Sequence, residues 1–344
     1  MPNSPAPGRA TSAGSPDAIP DSPTEIPAGG WKAILRRSIQ QFKHDDVTDR
    51  AAALTYFGVL AIFPGLLVLV SIMGLIGRSN VQSLLNNLQQ VAPGGVSTFL
   101  RTVLEQVQGR AGAATIGAIV GVIIALWSAS GYIAAFMRAS NAIYDVDEGR
   151  PIWRTAPVRL GVTVTVVVML VACSLIVVIT GSVARQVGHA LGLGNGLVLA
   201  WQIVKWPVLL VLVSLMFSLL YWACPNVKQP KFRWITPGGA LAVVIWLAAS
   251  ALFALYVSFS SSYNKTYGSL AAIIIFLVWL WITNIAILLG VEFDAESQRQ
   301  RLVEAGMPER VEPFVDLRDT AKLDDAEKER VAEAERVRRA HLPS

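Results

Sequence analysis

The sequence predicts an all-α integral membrane protein with six transmembrane helices and two short amphipathic helices in the first outer loop. Three observations lead there. Hydrophobic side chains make up 53% of the chain and charged ones 15%, with a mean hydropathy of +0.50, too apolar for an ordinary soluble domain. Six apolar segments, 51–76, 111–137, 158–181, 197–222, 237–259 and 270–290, each reach the length that crosses a hydrocarbon layer of about 30 Å. The alternation of a β-barrel strand is absent from them, and lipid leaves helix as the remaining way to satisfy their backbone groups.

In chain order, residues 1–30 carry seven prolines among Ser, Ala, Gly and Thr. Such a segment buries too little apolar surface to offset its ordering entropy and reads as disordered. It lacks the basic start and apolar run of a signal peptide. From Trp31 to Arg50, Trp31, Ile34, Leu35, Ile39 and Phe42 recur near helical spacing among basic residues. That pattern fits an amphipathic helix at the headgroup surface or a plain solvated lead-in helix. The membrane domain then runs over 51–294, and a charged tail fills 295–344.

Orientation follows from the basic flanks. With the amino terminus cytoplasmic, the inner side holds fourteen Lys and Arg near the spans: Lys32, Arg36, Arg37, Lys43, Arg50, Arg138, Arg150, Arg154, Arg159, Lys228, Lys231, Arg233, Arg299 and Arg301. The outer side holds five, Arg78, Arg101, Arg110, Arg185 and Lys265. The bias places both termini in the cytoplasm. The outer loop 78–110 has two apolar stripes, from Val81 to Val91 and from Phe99 to Val107, split by Pro93-Gly94-Gly95. They predict two short helices that cap a cavity, rest on the outer leaflet or simply cover the bundle.

Polar groups at membrane depth are costly and so informative. The last span, 21 uncharged residues from Leu270 to Gly290, has a Tyr267-Gly268 entrance, Trp279 and Trp281 near its middle, Asn284 toward the inner side and Glu292 past its exit. Thr55 and Tyr56 in the first span lie at the depth of Asn284, and Arg50 at the level of Glu292. A hydrogen bond from Asn284 to the first span and an Arg50–Glu292 ion pair are therefore geometrically open, either as packing glue or as part of a polar path. Lys205, beside Trp206 and Pro207, either snorkels outward or faces an internal cavity where it could meet an anionic headgroup. Pro207 and Pro64 stand inside spans and predict kinks. Gly117 and Gly121, with Ala113, Ala125 and Ala129, form a small-residue seam for helix packing. The tail has alternating charge and a poor apolar stripe, which predicts a solvated or weakly associating helix, with regulation or partner binding as the other reading.

Enzyme signatures are missing. His44, His189 and His341 are scattered, so no His cluster for a metal is expected, nor is any cofactor. Cys173 and Cys224 read as packing residues. Asp145, Asp147 and Glu148 are the only acidic cluster on the cytoplasmic side that could be asked to cleave RNA, and a nuclease reading fares poorly because no two-metal pattern accompanies them. No nucleic-acid partner is expected. The remaining readings are a lipid or small-solute translocator, with membrane lipids as its partners, and a non-transporting scaffold or envelope-assembly factor. A homo-oligomer and an envelope-protein partner are both open.

Four ordered motifs resemble the YihY/BrkB family of bacterial inner-membrane proteins: DRAAALTYFGVLAIFP, SNAIYDVDEGRPIWR, the Trp222-to-Pro225 turn, and YNKTYGSLAA through WLWITNIAILLGVEFDAE. They span roughly Trp31 to Arg301 and contain Asp49, Asn141, Tyr144, Arg150, Pro225, Tyr267, Gly268, Trp279 and Gly290. The resemblance implies six spans in a bacterial cytoplasmic membrane. It also implies an association with virulence and lipid export, and an old ribonuclease label regarded as a misassignment.

Overall fold

A computed structural model describes residues 28–76, 113–178, 184, 195–229, 232, 234–259 and 271–341. The outer loop with its two expected amphipathic helices, the proline-rich head, and Tyr267 and Gly268 lie outside the described residues. The elements are α1 (Ala28–His44), α2 (Val47–Ile76), α3 (Ala113–Ile143), α4 (Ile152–Val178), α5 (Asn195–Ala223), α6 (Pro237–Phe259), α7 (Ala271–Glu304) and α8 (Asp325–His341). All are helices, and among the described residues the one β feature is an isolated antiparallel bridge between Val227 and Leu317.

Four helices, α4 to α7, are long and apolar enough to cross a membrane. Helices α2 and α3, at 30 and 31 residues, cover the first two apolar segments. Sequence neighbours pack in a ring, α2 on α3, α3 on α4, α4 on α5, α5 on α6 and α6 on α7, and α7 closes it by returning to α2. Helix α7 also touches α3 across the ring, and α1 lies against α7 and α2. Among the described residues the apolar core is concentrated at one end, where α2, α4 and α6 begin and α3 and α5 finish; α7 passes it on its way to Glu304. Phe136, Tyr144, Phe217, Tyr221, Leu288 and Val291 are buried there.

Two predicted boundaries move. The helix expected over 31–50 stops at His44; Asp46 adopts a left-handed backbone (φ 48°), and its carbonyl accepts the Asp49 and Arg50 amides, both at 3.0 Å, as α2 opens. The helix of the last span, expected over 270–290, runs on unbroken to Glu304.

The tail is the larger correction. Instead of a solvated or weakly associating helix, residues 305–341 fold back onto the crowded end of the ring. Phe314 stacks on Tyr144 with ring centroids 6.0 Å apart, and Met307, Val315, Leu317 and Leu323 join the core. A reciprocal capping box starts α8, with the Glu327 amide donating to Asp324 Oδ1 at 2.8 Å and the Asp324 amide to Glu327 Oε2 at 3.1 Å. The buried face of α8 is Val331, Ala334 and Arg338. Arg338 donates to the Pro313 and Val315 carbonyls at 2.7 and 2.9 Å and to Asp316 at 2.6 Å.

Candidate functional site

Most hydroxyls within the helices bond back to their own helix. Thr163 donates to the Arg159 carbonyl (2.7 Å), Thr165 to Gly161 (2.9 Å), Ser214 to Leu210 (2.8 Å) and Thr283 to Trp279 (2.9 Å). Each supplies its own acceptor and requires nothing from a neighbouring helix. The polar groups that reach across helices are therefore the ones that position the fold or carry function.

Asn284 is the first of these. Its Nδ2 donates to Thr55 Oγ1 at 3.0 Å, a bond to the first span that the matched depths left open, and its Oδ1 accepts from Tyr132 OH at 2.8 Å. Thr55 passes its own proton to the Ala51 carbonyl at 2.8 Å. Three helices, α2, α3 and α7, are thus joined by one amide. Sequence reading missed Tyr132, which has no motif around it. Tyr56 plays no part in this set: it is 62% exposed and sits edge-on to Phe57. The Trp pair divides between neighbours, Trp279 Nε1 donating to Ser250 Oγ on α6 and Trp281 Nε1 to the Thr48 carbonyl on α2, both at 3.1 Å.

Close backbone approach fixes α5, α6 and α7 together. A side chain at Gly290 would collide with the Gly238 carbonyl and Tyr221, and one at Gly238 with the Gly290 carbonyl. Tyr221 OH donates to the Ile287 carbonyl at 2.7 Å, and the Gly238 amide to Asp294 Oδ1 at 2.7 Å. Gly290 is thus required by contact, not by backbone conformation.

Beyond these contacts lies an acid-base junction that unites α1, the α1–α2 link, α7 and the tail. Arg37 of α1 donates to Glu296 at 2.7 Å and Glu309 at 3.0 Å and also bonds Gln300. Arg299 pairs with Glu296 (3.2 Å), Asp145 (3.7 Å) and Glu312 and stacks over Phe314, 4.2 Å from the ring centroid. The expected Arg50–Glu292 ion pair does not form. Arg50 Nε donates instead to the Asp45 carbonyl at 2.6 Å. Equal depth had suggested the pair, but the turn at Asp45-Asp46 swings Arg50 away from α7. Asp45 is held above the ordinary carboxylate range, first by burial and then by the charge of Asp145, against the lowering pull of its His44 hydrogen bond.

The motif residues after α3 form a second polar knot. Asn141 Nδ2 donates to Glu148 at 3.0 Å, and its Oδ1 accepts the Asn226 amide at 2.7 Å. Arg150 is bidentate to Glu148 at 2.6 and 2.7 Å and caps the Cys224 carbonyl at 2.7 Å. Asn226, next to buried Pro225, donates to the Asp147 and Asp319 carbonyls at 3.1 and 2.9 Å. The three acidic residues considered for nuclease chemistry each face an arginine: Asp145 faces Arg299, Asp147 faces Arg330 at 3.5 Å, and Glu148 faces Arg150. Among the described residues, no group of three or more His, Cys, Asp or Glu is arranged to hold a metal ion.

Lys205 stands apart from both knots. It is 6% exposed on α5, about 24 Å along the helix from Tyr221, with its ammonium 5.3 Å from the Trp206 ring centroid. Pro207 lies inside α5, as does the unanticipated Pro157 inside α4. Asp49 is an exposed first-turn residue of α2. Pro64, Gly117 and Gly121 fall on helical backbone whose side-chain surroundings lie outside the described residues.

Comparison with known proteins follows the same lines. The model of the family described as "Virulence factor BrkB" matches residues 38–313. A Bacillus subtilis protein named YfkH and described as ribonuclease-like is 27% identical over 269 residues, covering 78% of this chain and 96% of its own. A UPF0761 membrane protein of Alkalilimnicola ehrlichii is 30% identical over 266 residues, and one of Pseudomonas aeruginosa 28% over 279. Those matches take in 74% and 76% of this chain but 56% and 62% of the longer relatives. No solved structure matches the chain at a significant level.

Proposed function

The chain belongs to the virulence factor BrkB family, and from that premise we propose that it is a membrane translocator of anionic amphiphiles, lipids first among them, and not an enzyme. The observation that carries the reading is Lys205, a basic side chain buried within an apolar span. A cation at that depth is expensive and marks a ligand or ion pathway more often than a packing role. The Asn284 clamp and the glycine contacts then close one end, while the Lys205 region meets the headgroup. We place all six apolar helices across a bacterial cytoplasmic membrane, with the crowded end and both chain termini in the cytoplasm, following the basic flanks. A scaffold that recruits partners through its tail is the weaker reading, since residues 305–341 spend their apolar groups on the bundle itself.

Vesicle reconstitution tests this. Purified protein should move a labelled anionic phospholipid between leaflets, and Lys205→Ala should slow that movement roughly tenfold, equivalent to about 1.4 kcal/mol, while the helical circular dichroism stays unchanged. Movement no faster than in protein-free vesicles, or a fully active Lys205→Ala, would remove the proposal.

A further inference from the structure

Helix α1 has one face on the bundle and one turned away from it. On the bundle side Ile34 packs with Phe293 of α7, beside Trp31 and Leu241, and Trp31 stacks on Phe293 with ring centroids 5.9 Å apart. Arg37 turns the same way and spends its guanidinium on Glu296 at 2.7 Å and Glu309 at 3.0 Å. These contacts fix both the rotation and the depth of α1. Leu241 lies four residues after Pro237, where one apolar segment opens, and Phe293 three residues after Gly290, where another closes. Helix α1 therefore runs along the border at which α6 enters the apolar layer and α7 leaves it. The same border carries other bare apolar groups around the ring: Ile152 and Trp153 at the start of α4, 68% and 73% exposed, and Trp234 and Ile235 just before α6, 71% and 57% exposed. Tryptophan in such positions marks the headgroup level of a membrane.

The outward face consists of Lys32, Leu35, Arg36, Ile39, Gln40 and Lys43, all exposed. They recur at helical steps of three and four and cover about 16 Å of one face. Two large aliphatics, Leu35 and Ile39, are bare among three cations, and α1 contains no acidic residue. Its sign decides the occupant: a second copy docking by two-fold symmetry would set three cations against three more, whereas an anionic headgroup layer complements them. We propose that the outward face of α1 is a binding surface for anionic phospholipid of the adjoining leaflet. Leu35 and Ile39 enter between acyl chains, and Lys32, Arg36 and Lys43 meet headgroup phosphates. This is a standing contact, separate from lipid movement, and it takes from the proposed function only that the apolar helices cross a membrane.

The test is hydrogen-deuterium exchange of the full-length protein, a single copy per nanodisc, in phosphatidylcholine alone and in phosphatidylcholine mixed with phosphatidylglycerol. Amides of α1 should exchange at least about fivefold more slowly in the mixed bilayer, the amount that one cation near an anionic surface supplies, and the gain should shrink as salt rises. The combined Lys32→Gln, Arg36→Gln and Lys43→Gln variant should erase the difference between the bilayers. Leu35→Ser with Ile39→Ser should speed α1 exchange in both, and unchanged exchange in α3 controls for folding. Equal α1 exchange in the two wild-type bilayers, which needs no variant to interpret, overturns the proposal. A difference that survives the triple replacement does the same, and wild-type exchange in the serine pair overturns the insertion of Leu35 and Ile39. Protection that is absent from single-copy nanodiscs and grows with protein concentration in detergent assigns the face to a second chain and also overturns the proposal. Lipid movement is read separately, so failure of transport leaves these outcomes intact.

Discussion

The crowded end of the ring and the stretch around Lys205 are held by different forces. At the first, Asn284, Arg150, Asn226, Arg299 and Arg338 make directional bonds between elements, and Gly238 and Gly290 bring two backbones together. Around Lys205, by contrast, Leu199, Ile203, Val204 and Trp206 of α5 and Leu252 and Tyr256 of α6 point outward. Lipid tails are as apolar as these side chains, so hydrophobicity alone does not fix helices against one another. The comparison teaches that polar bonds and glycine contacts set one end, while the described residues of α5 and α6 near Lys205 turn apolar side chains outward.

The sharpest way to break this contrast is Gly290→Leu. The new side chain meets the Gly238 backbone, which has nowhere to go, and destabilisation above about 3 kcal/mol is expected. A detergent melt identical to wild type would show that close α6–α7 approach does not set the end. Arg338→Leu comes next. Removing the guanidinium leaves the Pro313 and Val315 carbonyls and Asp316 without their donor, for about 3 kcal/mol, and limited proteolysis should cut residues 305–341 long before the helices.

Asn284→Leu unlinks α2, α3 and α7 at one point. Intramembrane hydrogen bonds average about 0.6 kcal/mol each, so a loss of about 1 kcal/mol should appear as an earlier melt. For Asp45, whose folded value is raised, the native state binds more protons than the unfolded one. Its contribution is complete below the ordinary value of 3.8 and is lost as pH climbs toward the raised folded value. Stability of the α1–α7 contact should therefore fall with rising pH over that window, and Asp45→Asn should flatten the slope in hydrogen exchange of α1. Smallest of all is Leu199→Ala in the open stretch, expected within about 0.5 kcal/mol of wild type; a larger cost would mean that this region too is tightly fixed.

What the sequence made legible was the set of long apolar helices and the depth of their polar marks. Asn284 found Thr55 because amide and hydroxyl lie at one level on adjacent helices, and burial leaves an amide few alternatives. The Arg50–Glu292 pair shared the same kind of level and failed, because level says nothing of azimuth and a single left-handed residue, Asp46, re-aims Arg50. The tail was misread for a different reason. Its buried face consists of a valine, an alanine and an arginine at helical spacing, so hydropathy registers nothing. What fills the seam is the aliphatic stem of Arg338 and its hydrogen bonds to bare carbonyls. Tyr132 was silent because an aromatic in an apolar run looks like core until its hydroxyl finds a partner.

The fold-back of residues 305–341 also sets a timetable. Tyr144, Asn226 and the Cys224–Val227 turn are synthesised well before Phe314, Arg318 and Asp319, which complete their bonding. While translation proceeds, the helices can insert, but the seal over α3 and α5 waits for residues 305–341 to emerge. A polypeptide interrupted before that point would display an unsatisfied aromatic and amide surface at the membrane border. Membrane-bound proteases are suited to find such a surface. Residues 305–341 thereby report that synthesis has passed them.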